Sequence, residues 1–243
     1  MKILDWNVCR DMTEEKKRHL EKLQSKFVAD ILILQECKPE GFDLLKNDWK
    51  YSLMYSDTLY EHKEAFGVAI FSNEYEIRFT QNFNRNFRYV IPLEVWKDNK
   101  FQFYLFAVWT KSKPINLYKN FLEALEFEGY KDYISEPALF IGDFNTPTTQ
   151  ENDKAYKTII SKGLINCATP GEEYKETYSH KTEDDFYTAD YCFASEKMAK
   201  DNKIKVTIHD FDKTISTKLK YQNLSDHVPL EITINTINNA SEN

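Results

Sequence analysis

Acidic and amide side chains recur where apolar segments of this chain end. The segment ALFIGDFN places Asp143 and Asn145 at the end of an apolar run, and ILILQE ends on Glu36. A turn explains such residues in a single case, because Asp and Asn commonly bond their own backbone. Repetition at several segment ends instead favours side chains that meet in one place.

Three further segments add residues of the same kind. KILDWNV carries Asn7 near its end, TADYCFA carries Asp190 within an apolar and aromatic run, and NLSDHVPLEITI places Asp226 and His227 before the last apolar run. The structural alternatives are a strand-end amide that satisfies a neighbouring loop, for Asn7, and a Ser-Asp turn with a solvent-facing histidine, for the Asp226–His227 pair. A carboxylate inside a buried strand is costly without a partner, so Asp190 favours a shared site.

These residue types indicate metal-assisted chemistry on a phosphate ester. Carboxylate and amide oxygens suit Mg²⁺ or Mn²⁺, and the chain has no Cys and His cluster of the kind that holds structural zinc. A histidine beside a carboxylate can handle protons, and a second acid can fix its tautomer. A metal with a positioned water is suited to in-line hydrolysis of a phosphate ester, which is the predicted reaction.

Strand-like and helix-like segments interleave along the chain and must position these residues. Helices are predicted over residues 13–27, in PINLYKNFLEALEFE and in TQENDKAYKTIISKG. Strands are predicted in MKILDWNV, DILILQE, FGVAIFS, FRYVIPLEVW, FQFYLFAVWT, ALFIGDF, TADYCFA, NKIKVTIHD and VPLEITI. The pattern predicts an α/β fold of two packed mixed β-sheets flanked by helices, in one domain over residues 1–237 with a polar tail over 238–243.

Composition bounds the class of protein. The net charge of −7 argues against binding polyanions by charge alone, although a bound metal can supply positive charge where a phosphate sits. The four cysteines lack paired metal-ligand spacing and favour reduced thiols in a cytoplasmic protein. The sequence shows neither a signal-peptide pattern nor an apolar run of transmembrane length, so no membrane association is expected.

The order of the motifs resembles the endonuclease/exonuclease/phosphatase superfamily from the first predicted strand to the last. GDFN and SDH are moderately specific alone, and strongly specific in this order. The resemblance implies a four-layer α/β sandwich and metal-dependent cleavage of phosphate esters. The motifs that carry it are WNV (6–8), QE (35–36), GVAIFS (67–72), GDFN (142–145), ADY (189–191) and SDHVPL (225–230).

The resemblance implies a metal side to the site. Glu36 matches the principal metal ligand of the family, with Asn7 and Asp226 shaping the same metal site or the phosphate beside it. Mg²⁺ is the implied cofactor and Mn²⁺ its natural substitute.

The resemblance also implies a catalytic side. Asp143 matches the carboxylate that aligns or deprotonates the attacking water, and Asn145 matches the amide that steadies the phosphoryl oxygens. His227 matches the catalytic histidine, which Asp190 holds. Whether Asp143 or His227 takes the proton belongs to a coupled cluster and stays open at this stage.

The chain departs from the family at the end of the predicted strand FQFYLFAVWT, where the sequence reads FAVWTKSK. Trp109 stands where many relatives carry a histidine, and an indole can donate a hydrogen bond but cannot shuttle a proton. Thr110 and Lys111 follow it, and Lys111 either offers charge to a phosphate or is an ordinary surface lysine. His180, in the polar loop YSHKTEDDF, is the candidate replacement for the missing histidine and could equally be a solvated loop residue.

A second departure weakens one branch of the family. Cys9 and Arg10 follow WNV, where the abasic-site repair branch typically has Asp or Asn and then Gly. The reading of the chain as an abasic-site endonuclease is therefore disfavoured.

The superfamily hosts several substrates, so a fold alone does not choose one. The leading hypothesis is a phosphodiesterase acting on DNA or RNA as a monomer. The alternative is a phosphatase or phosphodiesterase of a small phosphorylated molecule (a nucleotide, sugar or inositol phosphate), which an acidic protein tolerates better. A third hypothesis, a binding module with weak or no catalysis, is opposed by the complete set of predicted metal, water and histidine positions.

Overall fold

The structure is a computed structural model that describes residues 1–58, 65–87, 89–110, 117–148, 154–171, 175–179, 186–209 and 224–236. Its strands are β1 (Lys2–Arg10), β2 (Ile31–Cys37), β3 (Tyr51–Thr58), β4 (Ala65–Ser72), β5 (Glu76–Phe79), β6 (Val90–Lys97), β7 (Lys100–Trp109), β8 (Ala138–Thr148), β9 (Ile165–Asn166), β10 (Tyr178–Ser179), β11 (Phe186–Ala194), β12 (Asn202–Ile208) and β13 (Leu230–Thr236). Its α-helices are α1 (Glu14–Phe27), α2 (Pro39–Leu45), α3 (Leu117–Glu126), α4 (Glu128–Ile134), α5 (Lys154–Ser161) and α6 (Glu196–Asp201). Two 3₁₀ turns cover Lys46–Asp48 and Arg85–Phe87.

The described strands form two mixed sheets, as predicted. The first sheet has the order β12-β13-β1-β2-β4-β3, and the second has the order β10-β11-β8-β7-β6-β5 with β9 paired to β11. The pairs β1–β2 and β7–β8 are parallel, and the other ladders are antiparallel. Because parallel neighbours need a crossover, α1 connects the first parallel pair and α3 with α4 connects the second.

Apolar side chains divide the molecule into four layers. The inner faces of the two sheets pack on each other through residues such as Ile33 and Ile70 from the first sheet and Leu105 and Ile141 from the second. The outer face of the first sheet carries α1, whose core residues are Leu20, Leu23 and Phe27. The outer face of the second sheet carries α3, α4 and α5, through Phe121, Tyr130 and Ile159. The predicted four-layer α/β sandwich is thus confirmed.

Most predicted elements are present. Helix α1 begins directly after Thr13, whose side chain accepts a hydrogen bond from the backbone N–H of Lys16, so this predicted helix is confirmed. The sequence analysis missed β3, β5 and the two-residue strands β9 and β10, together with the short helices α2, α4 and α6. Within the described residues, no helix combines the length and apolarity needed to cross a membrane. The predicted tail over 238–243 lies outside the described residues.

A double irregularity at the ends of β1 and β2 redirects two side chains of the predicted site. The β1–β2 register runs regularly to Asn7↔Gln35 and then shifts to Arg10↔Cys37. Cys9, Arg10 and Glu36 all have left-handed backbone, with φ of 48°, 78° and 50°. Simple alternation along β2 would place Glu36 on the outer face with Leu34, whereas the bulge brings it to Asn7 at the inner face.

Gly142 allows β7 and β8 to approach closely just before Asp143. Its φ is +135°, and a Cβ built there would lie 2.0 Å from the carbonyl oxygen of Val108 and 2.9 Å from the side-chain nitrogen of Gln35. A side chain at this position would therefore meet backbone that cannot move without breaking the parallel ladder.

We expect Gly142→Ala to lower the free energy of unfolding by roughly 3 kcal/mol or more, because backbone strain and a backbone clash add at this position. Gly163→Ala is the matched control, since Gly163 also has positive φ (+87°) but no atom of the described residues within 4 Å of a built Cβ. Its cost should be about 1 kcal/mol from backbone strain alone. Urea unfolding of the two variants measures the difference, and equal losses would contradict the close approach.

Candidate active site

The carboxylate of Asp143 is the centre of the site. It is fully buried in the middle of β8, where the inner faces of the two sheets meet. Asn7, from the other sheet, donates from Nδ2 to Oδ2 at 3.0 Å. Asn145 donates its backbone N–H to Oδ1 at 2.7 Å and its Nδ2 to Oδ2 at 2.7 Å. Two amides thus fix the carboxylate, and Asn145 does so with a left-handed backbone (φ 45°) that Asn tolerates.

His227 and Asp190 form a buried pair beside Asp143. His227 Nδ1 lies 2.8 Å from Asp190 Oδ2, and both side chains are almost wholly buried. Asp190 stands directly opposite Asp143 in the β11–β8 ladder. His227 Nε2 lies 3.9 Å from Asp143 Oδ2, which is beyond hydrogen-bond distance. The predicted holding of His227 by Asp190 thus has a direct geometric counterpart.

The backbone around His227 is joined to the first strand. Ser225 Oγ donates to the carbonyl oxygen of Asn7 at 2.6 Å and accepts from the backbone N–H of His227 at 3.1 Å. Trp6 Nε1 donates to the carbonyl oxygen of His227 at 3.0 Å. The WNV and SDH motifs, about 220 residues apart in the chain, are therefore one structural unit. The sequence analysis gave no role to Trp6 or Ser225, although both lie inside motifs that it used.

Thr177 holds the backbone at Asp190 through its hydroxyl group, as Ser225 does at His227, and the sequence analysis missed this residue too. Its hydroxyl oxygen accepts from the backbone N–H groups of Ala189 (2.8 Å) and Asp190 (2.9 Å), where the β11–β8 register shifts. Its carbonyl oxygen accepts from the N–H of Val228 at 2.9 Å. Thr177 therefore ties the strand that carries Asp190 to the segment that carries His227. Nothing in the sequence around Thr177 signals this contact.

The cluster is electrostatically coupled. Burial by itself lowers the pKa of His227, but the carboxylates of Asp190 and Asp143 outweigh it and raise the pKa to about 10. Burial raises the pKa of Asp143 well above its usual range, against the lowering effect of His227. At neutral pH the site thus holds an imidazolium between two acids, and Asp143 is more basic than an exposed carboxylate.

A third buried acid, Asp5, lies in this region and was missed. It is 1% exposed and accepts a hydrogen bond from Gln35 Nε2, while its Oδ2 has no hydrogen-bond partner among the described residues. Burial raises the pKa of Asp5 well above its usual range, and the charge of Asp190 adds to this effect. The signal that identified Asp190, an acid within an apolar run, was equally available for Asp5.

Glu36 and Asn7 form the side of the site that suits a divalent metal. Asn7 Oδ1 accepts from the backbone N–H of Cys9 at 3.0 Å, so its Nδ2 faces the acids and reaches Glu36 Oε1 at 3.4 Å as well as Asp143. Glu36 and Asp226 are both half-buried. A partly exposed carboxylate suits Mg²⁺, which keeps several waters and binds through one or two carboxylates plus a phosphate.

A second cluster of side chains, made of two acids and a histidine, could also hold a cation. One ligand atom each of Asp143, Asp190 and His227 lies within 4.8 Å of the others. In this cluster, however, His227 already lies 2.8 Å from Asp190 and 3.9 Å from Asp143, so its imidazolium compensates part of the negative charge that a cation would meet. Glu36 is the better candidate for the metal ligand, since it is half-buried and its bond to Asn7 is long.

The predicted substrate-binding positions have different outcomes. Trp109 is 5% exposed in the core between the sheets, and its Nε1 has no hydrogen-bond partner among the described residues. Thr110 donates its hydroxyl to the carbonyl oxygen of Phe144, and its own carbonyl oxygen accepts from Asn145 Nδ2. Thr110 therefore holds the side chain of Asn145 in place through its backbone carbonyl oxygen. Lys111 and His180 lie outside the described residues.

Comparison with known proteins agrees with this fold. The model of the Endonuclease/Exonuclease/phosphatase family matches residues 6–227, so the chain belongs to that family. No curated protein matches the sequence.

Three solved structures illustrate the likeness, and at their low identity they speak for the fold alone. A family protein from Leptotrichia buccalis C-1013-b is 18% identical with a TM-score of 0.64, covering 97% of this chain and 99% of its own. D. rerio TDP2 in complex with a single-strand DNA product is 17% identical with a TM-score of 0.64, covering 97% and 99%. An AP endonuclease from Archaeoglobus fulgidus is 18% identical with a TM-score of 0.62, covering 97% and 100%.

We expect Asp190→Asn to lower the pKa of His227, because the substitution removes the nearest negative charge and keeps the side-chain shape. The proton NMR titration of His227 in metal-free protein measures this shift. Asp201→Asn, an exposed acid at the end of α6, is the control and should leave the titration unchanged. A His227 pKa that stays near 10 in Asp190→Asn would contradict the pairing.

The raised pKa of His227 also makes stability depend on pH. A group whose pKa is higher in the folded state stabilises the fold fully below its unfolded pKa, near 6.5, and loses this contribution as pH rises through about 10. We therefore expect Asp190→Asn to lower Tm most at pH 6, with a difference from wild type that shrinks towards pH 10. A Tm difference independent of pH would indicate a purely structural Asp190.

Proposed function

We propose that this chain is a divalent-metal-dependent phosphodiesterase that hydrolyses nucleic acid by in-line attack of water. The observation that carries the proposal is the convergence of Asn7, Asp143 and His227, from both sheets, on one buried cluster beside Glu36. Membership of a family of endonucleases, exonucleases and phosphatases supports hydrolysis of a phosphate ester. Nucleic acid is favoured because the structural neighbours include an AP endonuclease and a TDP2 with a single-strand DNA product.

On the metal side, Glu36 would hold Mg²⁺, with Mn²⁺ as a substitute. Such a cation supplies positive charge that polarises a phosphoryl oxygen and offsets the acidity of the chain. Asn7 orients the Glu36 carboxylate through Nδ2. We propose that the half-buried Asp226 shapes the same metal site or the phosphate beside it.

On the catalytic side, we assign the base to Asp143. Its pKa is raised by burial, so its carboxylate can take a proton from the attacking water. His227 is protonated at neutral pH and would donate from Nε2 to a phosphoryl oxygen, while Asp190 holds Nδ1. Asn145 commits its amide to Asp143 and to the carbonyl oxygen of Thr110, so we propose that it steadies the base. The new O–P bond forms as the ester P–O bond breaks; the leaving oxygen takes the electron pair of that bond and a proton from solvent, and Asp143 returns its proton to solvent.

A small phosphorylated molecule is the second candidate substrate. The net charge of −7 favours it, because a long polyanion is repelled by an acidic surface whereas a single phosphate meets mainly the local field of the site. Trp109 does not distinguish the two substrates, because its indole N–H is buried in the core between the sheets.

The remaining proposals concern the domain organisation, the oligomeric state and the cellular location of the protein. We propose a single domain over residues 1–237 that acts as a monomer. The four cysteines, all within the described residues, form no disulfide, and we propose a reducing, cytoplasmic location on that basis.

We expect Glu36→Gln to lower turnover more than about 100-fold while the fold persists, because the substitution removes the charge that binds the metal. EDTA should abolish wild-type turnover, and added Mg²⁺ or Mn²⁺ should restore it. Glu40→Gln is the matched control, since Glu40 is an exposed acid four residues further on, in the first turn of α2. Full turnover in EDTA would contradict metal dependence.

The substrate is decided by one panel assay. Labelled single-stranded DNA, duplex DNA, RNA and a set of small phosphate esters are incubated with the protein and Mg²⁺, and Glu36→Gln serves as the blank. Cleavage of nucleic acid at the highest kcat/KM supports the proposal. Turnover confined to small esters would replace it with the second candidate, and turnover of none in wild type would reject both.

A further inference from the structure

Lys16 occupies a position that ordinary helix energetics disfavours. It lies in the first turn of α1, only 5% exposed, although a buried lysine is rare and a cation near a helix N-terminus opposes the helix dipole. Its ammonium group donates to the carbonyl oxygens of Val8 at 2.5 Å and Cys9 at 3.2 Å. These contacts to β1 offset the cost of placing the charge there.

The two carbonyl groups belong to the bulge at the end of β1. The β1–β2 register shifts after Asn7, and Cys9 and Arg10 have positive φ, so regular ladder bonding ends there. Buried carbonyl oxygens released from a ladder need other donors. The Lys16 ammonium supplies those donors.

The same bulge sets the direction of the Asn7 side chain. The backbone N–H of Cys9 donates to Asn7 Oδ1 at 3.0 Å. With its oxygen held there, the amide nitrogen of Asn7 reaches Asp143 at 3.0 Å and Glu36 at 3.4 Å. A continuous path of hydrogen bonds therefore runs from the Lys16 ammonium, through the backbone of residues 8 and 9, to both acids.

We propose that Lys16 is a positioning residue of the active site: it holds the β1 bulge in the conformation that aims Asn7 at Asp143 and Glu36. Its chemical requirement is a multiple donor at the end of a long side chain, because two carbonyl oxygens are served at once. Lys16 touches neither acid and acts through the backbone and Asn7. The effect on turnover rests on the proposed function, whereas the effect on Asn7 does not.

Lys16→Met tests the proposal, because methionine has a similar length and no donor. The direct readout is the side-chain amide signal of Asn7 in ¹⁵N NMR of metal-free protein, assigned by its loss in Asn7→Asp. In wild type we expect the side-chain amide of Asn7 to give a single, shifted signal, and its protons to exchange slowly with solvent. In Lys16→Met we expect exchange at least about 10-fold faster, since the bulge no longer holds Asn7.

The turnover readout separates positioning from a merely structural role. We expect kcat of Lys16→Met to fall about 10- to 100-fold with KM changed less than about 3-fold, as for residues that orient metal or catalytic groups. Lys17→Met is the matched control. Lys17 is the next residue on α1, lies 3.8 Å from Asp48 in a partly exposed ion pair, and should change neither the Asn7 signal nor kcat.

Each outcome has a fixed meaning. A folded Lys16→Met with an unchanged Asn7 amide overturns the proposal, as does an Asn7 change of the same size in Lys17→Met. If Lys16→Met does not fold, Lys16→Gln, which retains one amide donor, replaces it with the same expected direction and the same criterion. If wild type turns over no phosphate ester, the proposed function fails, and the Asn7 signal still decides the role of Lys16.

Discussion

The hydrogen bond from Asn7 to Asp143 is the contact on which the site depends. Asn7 belongs to β1 of the first sheet and Asp143 to β8 of the second, so their 3.0 Å contact spans the junction of the two sheets. The apolar core between the sheets sets their separation. The geometry of the site therefore depends on the packing of the two sheets against each other.

This arrangement places several groups that oppose folding at one end of the core. Asp5, Asp143 and Asp190 are all buried there, and buried carboxylates require donors or positive charge. Gln35 serves Asp5, and His227 lies between the other two. Left-handed backbone at Glu36 and Asn145 adds strain, which is characteristic of functional sites. The burial of apolar side chains elsewhere in the molecule must offset the free-energy cost of these buried acids and of this strain.

The sequence predicted the fold and proposed most of the site residues for one reason. Proposed residues such as Asn7, Asp143 and Asp190 lie within apolar strands, and in a two-sheet sandwich such positions can meet at one edge. The motif order then implied four layers, which the structure has. Asp5 carried the same signal as Asp190 and was overlooked, so that omission was avoidable.

Other features were beyond sequence reasoning. The bulge that turns Glu36 inward depends on the register between strands, which no local pattern encodes. The supporting contacts of Ser225 with Asn7 and of Thr177 with Asp190 join distant segments through common hydroxyl side chains. Lys16 looked like an ordinary charge in the first turn of an amphipathic helix. In each case the missing information is tertiary, since it concerns which buried backbone groups lack a partner.

The most direct test of the account is the position of the metal. A crystal grown with Mn²⁺ and measured at the manganese absorption edge locates the ion by anomalous scattering, independently of any substrate. The account predicts a peak at bonding distance from a Glu36 carboxylate oxygen, about 2.0–2.3 Å, with the His227–Asp190 pair intact. A peak enclosed by Asp143, Asp190 and His227, without Glu36, would contradict it.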